Sequence, residues 1–137
     1  MQLLDLMLEF FADDRRWTRG SYDDGHDGHC LVGALLHLSR QYRLPARPAI
    51  ALLQDAMPRP GLPLVYFNDD RCGSAAELRS MILKARRLAD DHAERERAAV
   101  AAKAWLLAQI AQKRAATAAA TVETEQDTSL PPERLAA

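Results

Sequence analysis

The stretch SAAELRSMILKARRLA, residues 74–89, decides the fold class of this 137-residue chain. Ser74 and Glu77 stand at capping-box spacing, which predicts the start of a helix because both side chains can accept N–H groups that a first helical turn leaves unpaired. The large apolar residues that follow recur at helical spacing and form one stripe. No Gly or Pro interrupts the chain from Ser74 to Leu130. The pattern predicts a mainly α-helical protein with a long C-terminal helix.

Upstream of this helix, the spacing of apolar residues predicts a head of about four helices, counting the start of the last one. Residues 1–12, 30–42 and 48–57 each have an apolar side and a polar side. Residues 17–29 are rich in Gly and Asp and lack this period, which predicts an ordered loop or a small hairpin. Residues 64–67, LVYF, are β-prone by composition.

Gly33 lies inside the second predicted helix. A glycine at such a position costs about 1 kcal/mol relative to alanine. This cost is tolerable where another stretch of backbone must come close. We therefore expect tight helix packing at Gly33.

Large apolar residues are dense up to Leu88 and sparse after it. We predict a helical head domain at residues 1–89 and a protruding or folded-back helical extension at 90–120. Residues 121–137 contain few large apolar side chains, and their composition predicts a disordered tail.

The predicted extension carries a cluster of large apolar residues beyond a charged stretch. Leaving such a cluster exposed on a monomer is costly, which favours self-association or a protein partner through the last helix. The predicted interface residues are Trp105, Leu106, Leu107 and Ile110.

Charge and the N-terminal sequence exclude several classes of protein. The net charge is −1, and neither residues 1–89 nor 90–137 have the basic excess of a nucleic-acid-binding protein. The apolar N-terminus contains Asp5 and Glu9 with no preceding Lys or Arg, which fits neither a secretory signal nor a membrane span. We expect a cytoplasmic chain without a membrane partner, whose two cysteines are thiols.

A dense run of His and Cys suggests two alternative kinds of chemistry. In the first, His26, His29 and Cys30 would bind zinc together with Cys72. The chain has no paired Cys-x-x-Cys or His-x3-His module, however, so we expect no metal and no other cofactor.

The second alternative is a small enzyme with Cys30 as its nucleophile. A helix start lowers a thiol pKa, and His26 or His29 would take the proton. Asn68 or Asp69 would orient that base, as in Cys–His–Asn hydrolases. A structural interpretation competes with both alternatives: the aspartates and glycines shape a turn, Asp27 or His29 caps the next helix, and Cys30 packs inside.

Three short motifs occur in order along the head: Trp17-Thr-Arg-Gly20, Cys30-Leu-Val-Gly-Ala-Leu35 and Phe67-Asn-Asp69. In this arrangement the chain resembles a family of small bacterial and phage proteins of unknown function, over roughly Leu3 to Leu88. The resemblance implies no activity, cofactor or substrate.

The resemblance singles out the residues that define the head, which are Trp17, Gly20, Cys30, Gly33, Asn68 and Asp69. We expect the Asn68-Asp69 turn to pack beside Cys30 and the loop from Trp17. There it would bond unpaired N–H groups or, with Trp17, Gly20 and Cys30, bind a polar ligand. Taken together, the sequence favours a non-enzymatic binding or assembly module over an enzyme or zinc protein centred on Cys30.

Overall fold

A computed structural model of the chain describes residues 2–59 and 61–127, the last four of them by their backbone only. It confirms the mainly α-helical prediction. The helices are α1 (Gln2–Phe10), α2 (Leu31–Tyr42), α3 (Arg47–Ala56), α4 (Leu64–Tyr66) and α5 (Ala75–Asp127). A 3-10 turn follows α1, and a π-helical turn, Phe67–Arg71, follows α4.

The contacts divide the chain into a first unit, Met1–Glu94, and a second unit, Arg95–Ala137. α5 continues to Asp127, past residue 120, where the sequence analysis ended the helical extension. Residues 128–137 of the predicted disordered tail lie outside the described residues. Within the described part of the chain, none of the helices is both long enough and apolar enough to cross a lipid bilayer.

The core of the first unit is built from one face of each of its longer helices. The buried residues recur along each helix at the 3.6-residue period of the apolar residues in the sequence. The helix faces that the sequence predicts to be buried are therefore the buried ones. The largest fully buried side chains of these helices are Leu3, Leu4, Met7, Leu31, Leu35, Leu53, Leu78 and Ile82. Phe11, Asn68 and Cys72, which lie outside the α-helices, are also fully buried.

The capping box at α5 forms in a modified way. The Ser74 hydroxyl accepts the Glu77 N–H at 3.2 Å, as the sequence predicts. The Glu77 carboxylate, however, accepts the N–H of Gly73 at 2.7 Å instead of that of Ser74. Both bonds use N–H groups near the helix start, so the box still anchors α5.

The β-prone interpretation of residues 64–67 is wrong, because this segment is helical. Leu64 and Phe67 are buried while Val65 and Tyr66 are exposed, a spacing of three instead of an alternation. The Phe67 N–H donates to the Pro63 carbonyl at 3.0 Å and closes a helical turn. β-Propensity describes fit to a pleated surface, and no named strand lies within the described residues to provide one.

The loop between Trp17 and Cys30 is ordered and contains isolated β-bridges, from His29 to Trp17 and to Asp23, in place of a hairpin. The Asp24 carboxylate accepts the N–H groups of His26 and Gly28 at 2.7 and 2.9 Å. These two bonds lower the pKa of the Asp24 carboxyl below its usual value. The aspartates therefore shape the turn, as the structural interpretation expects.

Candidate functional site

Asn68 is the centre of the site, and its side chain is completely buried in the π-helical turn. Its Oδ1 accepts the Trp17 Nε1–H at 2.8 Å and the Leu31 N–H at 3.0 Å. Its Nδ2 donates to the Thr18 carbonyl at 3.1 Å and to Asp69 Oδ1 at 2.8 Å. An Asn side chain has two acceptor lone pairs and two N–H donors, so these bonds use its full capacity. Asn68 thus ties the loop, the π turn and the start of α2 together.

Asp69 extends this network to the loop. Its Oδ1 also accepts the backbone N–H of Gly20 at 2.9 Å. The Gly20 N–H, and after it the Asn68 amide, hold the pKa of the Asp69 carboxyl below its usual value. The carboxylate form is therefore the one that the site stabilises. The expectation that the Asn68-Asp69 turn bonds N–H groups beside the Cys30 helix is confirmed.

Cys30 caps α2, a role that the sequence analysis gave to Asp27 or His29. Its Sγ accepts the Gly33 N–H at 3.3 Å, while the Leu31 N–H is taken by Asn68. Only 3% of the Cys30 surface is exposed. The residue faces a small cavity of about 120 Å³, lined by Gly20, Ser21, Tyr22, Cys30, Val65 and Asp69.

The candidate base His29 contacts the same Tyr22 carbonyl oxygen that accepts the Cys30 N–H. Its ring Nδ1 is 3.1 Å from the Tyr22 carbonyl oxygen, and its ring stacks on His37 with centroids 4.9 Å apart. His29 lines a separate, larger cavity. Cys30 and His29 therefore line different cavities, and Asn68 lines neither of these two; the Cys–His–Asn arrangement stays a prediction.

The four alternative zinc ligands are not brought together either. The Cys72 thiol is buried and donates to the Ser74 carbonyl at 3.2 Å. Burial raises the pKa of this thiol above its usual value, which favours the protonated form over the thiolate that zinc requires. His26 belongs to the Asp24 turn. Within residues 2–59 and 61–127, no three His, Cys, Asp or Glu side chains are placed to hold a metal ion.

Sequence reasoning missed the part that Thr18 and Arg19 play in the site. The Arg19 guanidinium lies 4.8 Å from the centroid of the Trp17 ring and donates to the Cys72 carbonyl. The Thr18 carbonyl accepts the Asn68 amide. The position of both residues inside Trp17-Thr-Arg-Gly20 is the only sequence signal that could have indicated these roles.

Gly33 is approached by backbone, as expected, but the partner is the loop and not another helix. A Cβ atom built on Gly33 would lie 2.1 Å from the Tyr22 carbonyl oxygen. This carbonyl also accepts the Cys30 N–H at 3.3 Å. The loop therefore lies directly on the first turn of α2, and glycine is required there.

The part of the chain that matches a known protein family contains the whole of this site. A family model described as a family of unknown function (DUF6197) matches residues 2–88, which is well over half of the chain and includes every residue of the Asn68 network. No curated protein and no solved structure matches the chain. The chain belongs to this family of unknown function, DUF6197.

Proposed function

We propose that the chain is a non-enzymatic assembly module that pairs with a second copy of itself through the part of α5 in the second unit. The observation that carries the proposal is the exposure of large apolar side chains there. Between 38% and 69% of the surface of each is exposed, for Val100, Trp105, Leu106, Leu107 and Ile110. Burying such side chains against a partner is favourable in water, by about 25 cal/mol per Å² of apolar surface.

Helix geometry narrows the proposed contact to one face. At 3.6 residues per turn, Val100 and Leu107 are about 20° apart around the α5 axis, and Ile110 is about 60° from Leu107. Leu106 borders Ile110 at the edge of the same face, whereas Trp105 is about 160° from Leu107. We call Val100, Leu106, Leu107 and Ile110 the α5 seam, and place Trp105 outside it.

Charge on the same face supports a second copy as the partner. Glu96 and Arg114 each lie within about 20° of Leu107 around the helix. In an antiparallel pair centred at position 105, Glu96 of one copy lies opposite Arg114 of the other. A parallel pair would bring like charges together, which is unfavourable.

The same antiparallel register matches apolar residues as well. It places Val100 of one copy opposite Ile110 of the other, so the symmetric dimer contains two Val100–Ile110 pairs. One register thus pairs Glu96 with Arg114 and Val100 with Ile110, and it places Lys103 of one copy opposite Leu107 of the other, where the lysine stem can cover the leucine while its ammonium reaches solvent. This coincidence favours self-association over an unrelated protein partner.

Several features of the first unit support a non-enzymatic role. The Asn68 network uses its hydrogen bonds to hold the unit together, and the Cys30 thiol is buried and caps a helix. The candidate nucleophile and the candidate base line different cavities. In this proposal, the first unit is a stable body that the α5 seam brings into a dimer.

Replacement of Leu107 by Lys is expected to weaken the dimer by more than about a hundredfold, because each new Lys would lie opposite Lys103 of the other copy and two buried leucines would be lost. Sedimentation equilibrium of the full chain measures this change. The matched control is Trp105→Gln, which removes an apolar residue that is at least as exposed as Leu107 from outside the seam and is expected to leave the mass unchanged. A wild-type chain that is monomeric at high concentration would contradict the proposal.

A further inference from the structure

A groove on the first unit is used neither by the Asn68 network nor by the α5 seam. It lies between the loop at Tyr22 and the exposed side of α2, and its volume is about 640 Å³. This volume falls in the range of small-molecule sites, roughly 300–1,000 Å³. The groove also collects side chains that bind anions and planar groups, including Tyr22, His29, His37 and Arg40.

The two imidazoles and the guanidinium of the groove lie close together. His37 and Arg40 are three residues apart on α2, so they are neighbours on the helix surface. The His29 ring stacks on the His37 ring with an angle of 21° between their planes. The Phe10 ring packs against both imidazoles, with centroid distances of 5.5 and 6.4 Å. The two rings are therefore held together in one place before any ligand arrives.

The hydrogen bonding of these groups leaves donors and acceptors for a ligand. A carbonyl oxygen only accepts, so the contact with Tyr22 places the proton of His29 on Nδ1. The Nε2 atom is then an acceptor for a hydroxyl or amino group of a ligand. Among the residues that the structure describes, no carboxylate forms an ion pair with Arg40. A guanidinium presents a planar fork of N–H donors that matches two phosphate oxygens.

The remaining groups narrow the class of ligand. Tyr22 is 59% exposed at the groove and offers a flat ring on which a planar group can stack. The Asp23 carboxylate lines the same groove and can accept hydroxyl or amino protons, while it repels a bare anion. A ligand that satisfies all these groups has a phosphate, hydroxyl groups and a planar ring.

We propose that this groove binds a nucleoside monophosphate, with the phosphate at His37 and Arg40, a hydroxyl group of the ligand donating to His29 Nε2, and the base on Tyr22. Isothermal titration of the full chain with adenosine 5′-monophosphate tests the assignment, with inorganic phosphate and adenosine titrated in parallel. The mononucleotide is expected to bind more tightly than either fragment, because only the whole molecule uses both ends of the groove. Arg40→Gln and His37→Gln are each expected to weaken its binding by about tenfold or more.

The matched control is Arg47→Gln, which removes one positive charge from an exposed position of the same unit that does not line the groove. This variant is expected to bind as the wild type does. Three results would each overturn the proposal: no binding to the wild type, equal affinity for inorganic phosphate and the mononucleotide, or an equal loss in Arg47→Gln. Arg40 is exposed, so its substitution tests binding in a chain that remains folded.

Discussion

Substitution of Asn68 by Leu is expected to lower the free energy of unfolding by about 3–5 kcal/mol. Leucine fills a similar volume but provides neither donors nor acceptors. The Trp17 Nε1–H and the Leu31 N–H then lose their acceptor, and the Thr18 carbonyl loses its donor. Each buried polar group left without a partner costs about 1–3 kcal/mol. Urea unfolding monitored by circular dichroism measures the change.

The matched control for Asn68 is Asp70→Ala, in the same π-helical turn. Asp70 is exposed, and exposed substitutions away from special contacts change stability by about 0.5 kcal/mol or less. A loss in Asn68→Leu no larger than that of the control would show that water replaces the network at little cost. The account of Asn68 as the centre of the first unit would then be wrong.

Replacement of Gly33 by Ala is expected to destabilise the chain by about 2–4 kcal/mol. The new Cβ would lie 2.1 Å from the Tyr22 carbonyl oxygen, a backbone atom that cannot move alone. Displacement of Tyr22 would also break the bonds that its carbonyl accepts from Cys30 and His29. Thermal unfolding of the full chain measures the shift.

The direction of the Gly33 result is informative in itself. In an ordinary helix interior, alanine in place of glycine stabilises by about 1 kcal/mol. Ser80→Ala, at an exposed position of α5, serves as the control and is expected to be neutral or slightly stabilising. A stabilised Gly33→Ala chain would mean that the loop does not lie on the first turn of α2.

Local signals in the sequence were sufficient for the described helices other than α4 and for two features of the site. Apolar spacing predicts α1, α2, α3 and the start of α5, because a buried helix face repeats every 3.6 residues. Because glycine is unfavourable inside a helix, Gly33 predicts that another stretch of backbone comes close to α2 at this position. The order of the three short motifs, through the family resemblance, predicts that the Asn68-Asp69 turn packs at the start of α2.

The errors arise where contacts distant in sequence decide the structure. Trp17 and Asn68 are 51 positions apart, and nothing local indicates that one amide side chain serves three segments. Residues 64–67 are β-prone, yet they close helical turns because the core accepts Leu64 and Phe67 on one side. Cys30 takes the capping role because α2 begins at Leu31, so Cys30, and not Asp27 or His29, directly precedes the helix and its Sγ reaches the Gly33 N–H.

Of the interface predicted on α5, Leu106, Leu107 and Ile110 belong to the proposed seam and Trp105 does not. The antiparallel register of this seam can be tested by charge exchange. Glu96→Arg alone would place Arg opposite Arg in the proposed dimer, and Arg114→Glu alone would place Glu opposite Glu. Each variant is expected to weaken the dimer by about tenfold to a hundredfold, since two attractive pairs become repulsive. Mixing the two variants restores opposite charges at both positions of a mixed dimer.

The mass of an equimolar mixture of the Glu96→Arg and Arg114→Glu chains is therefore the most direct measurement of the proposed assembly. Light scattering at a concentration where each variant alone is monomeric should give the mass of a dimer for the mixture. A mixture that stays monomeric, at a concentration where the wild type is dimeric, would contradict the antiparallel α5 seam. A monomeric wild-type chain would contradict self-association through α5 altogether.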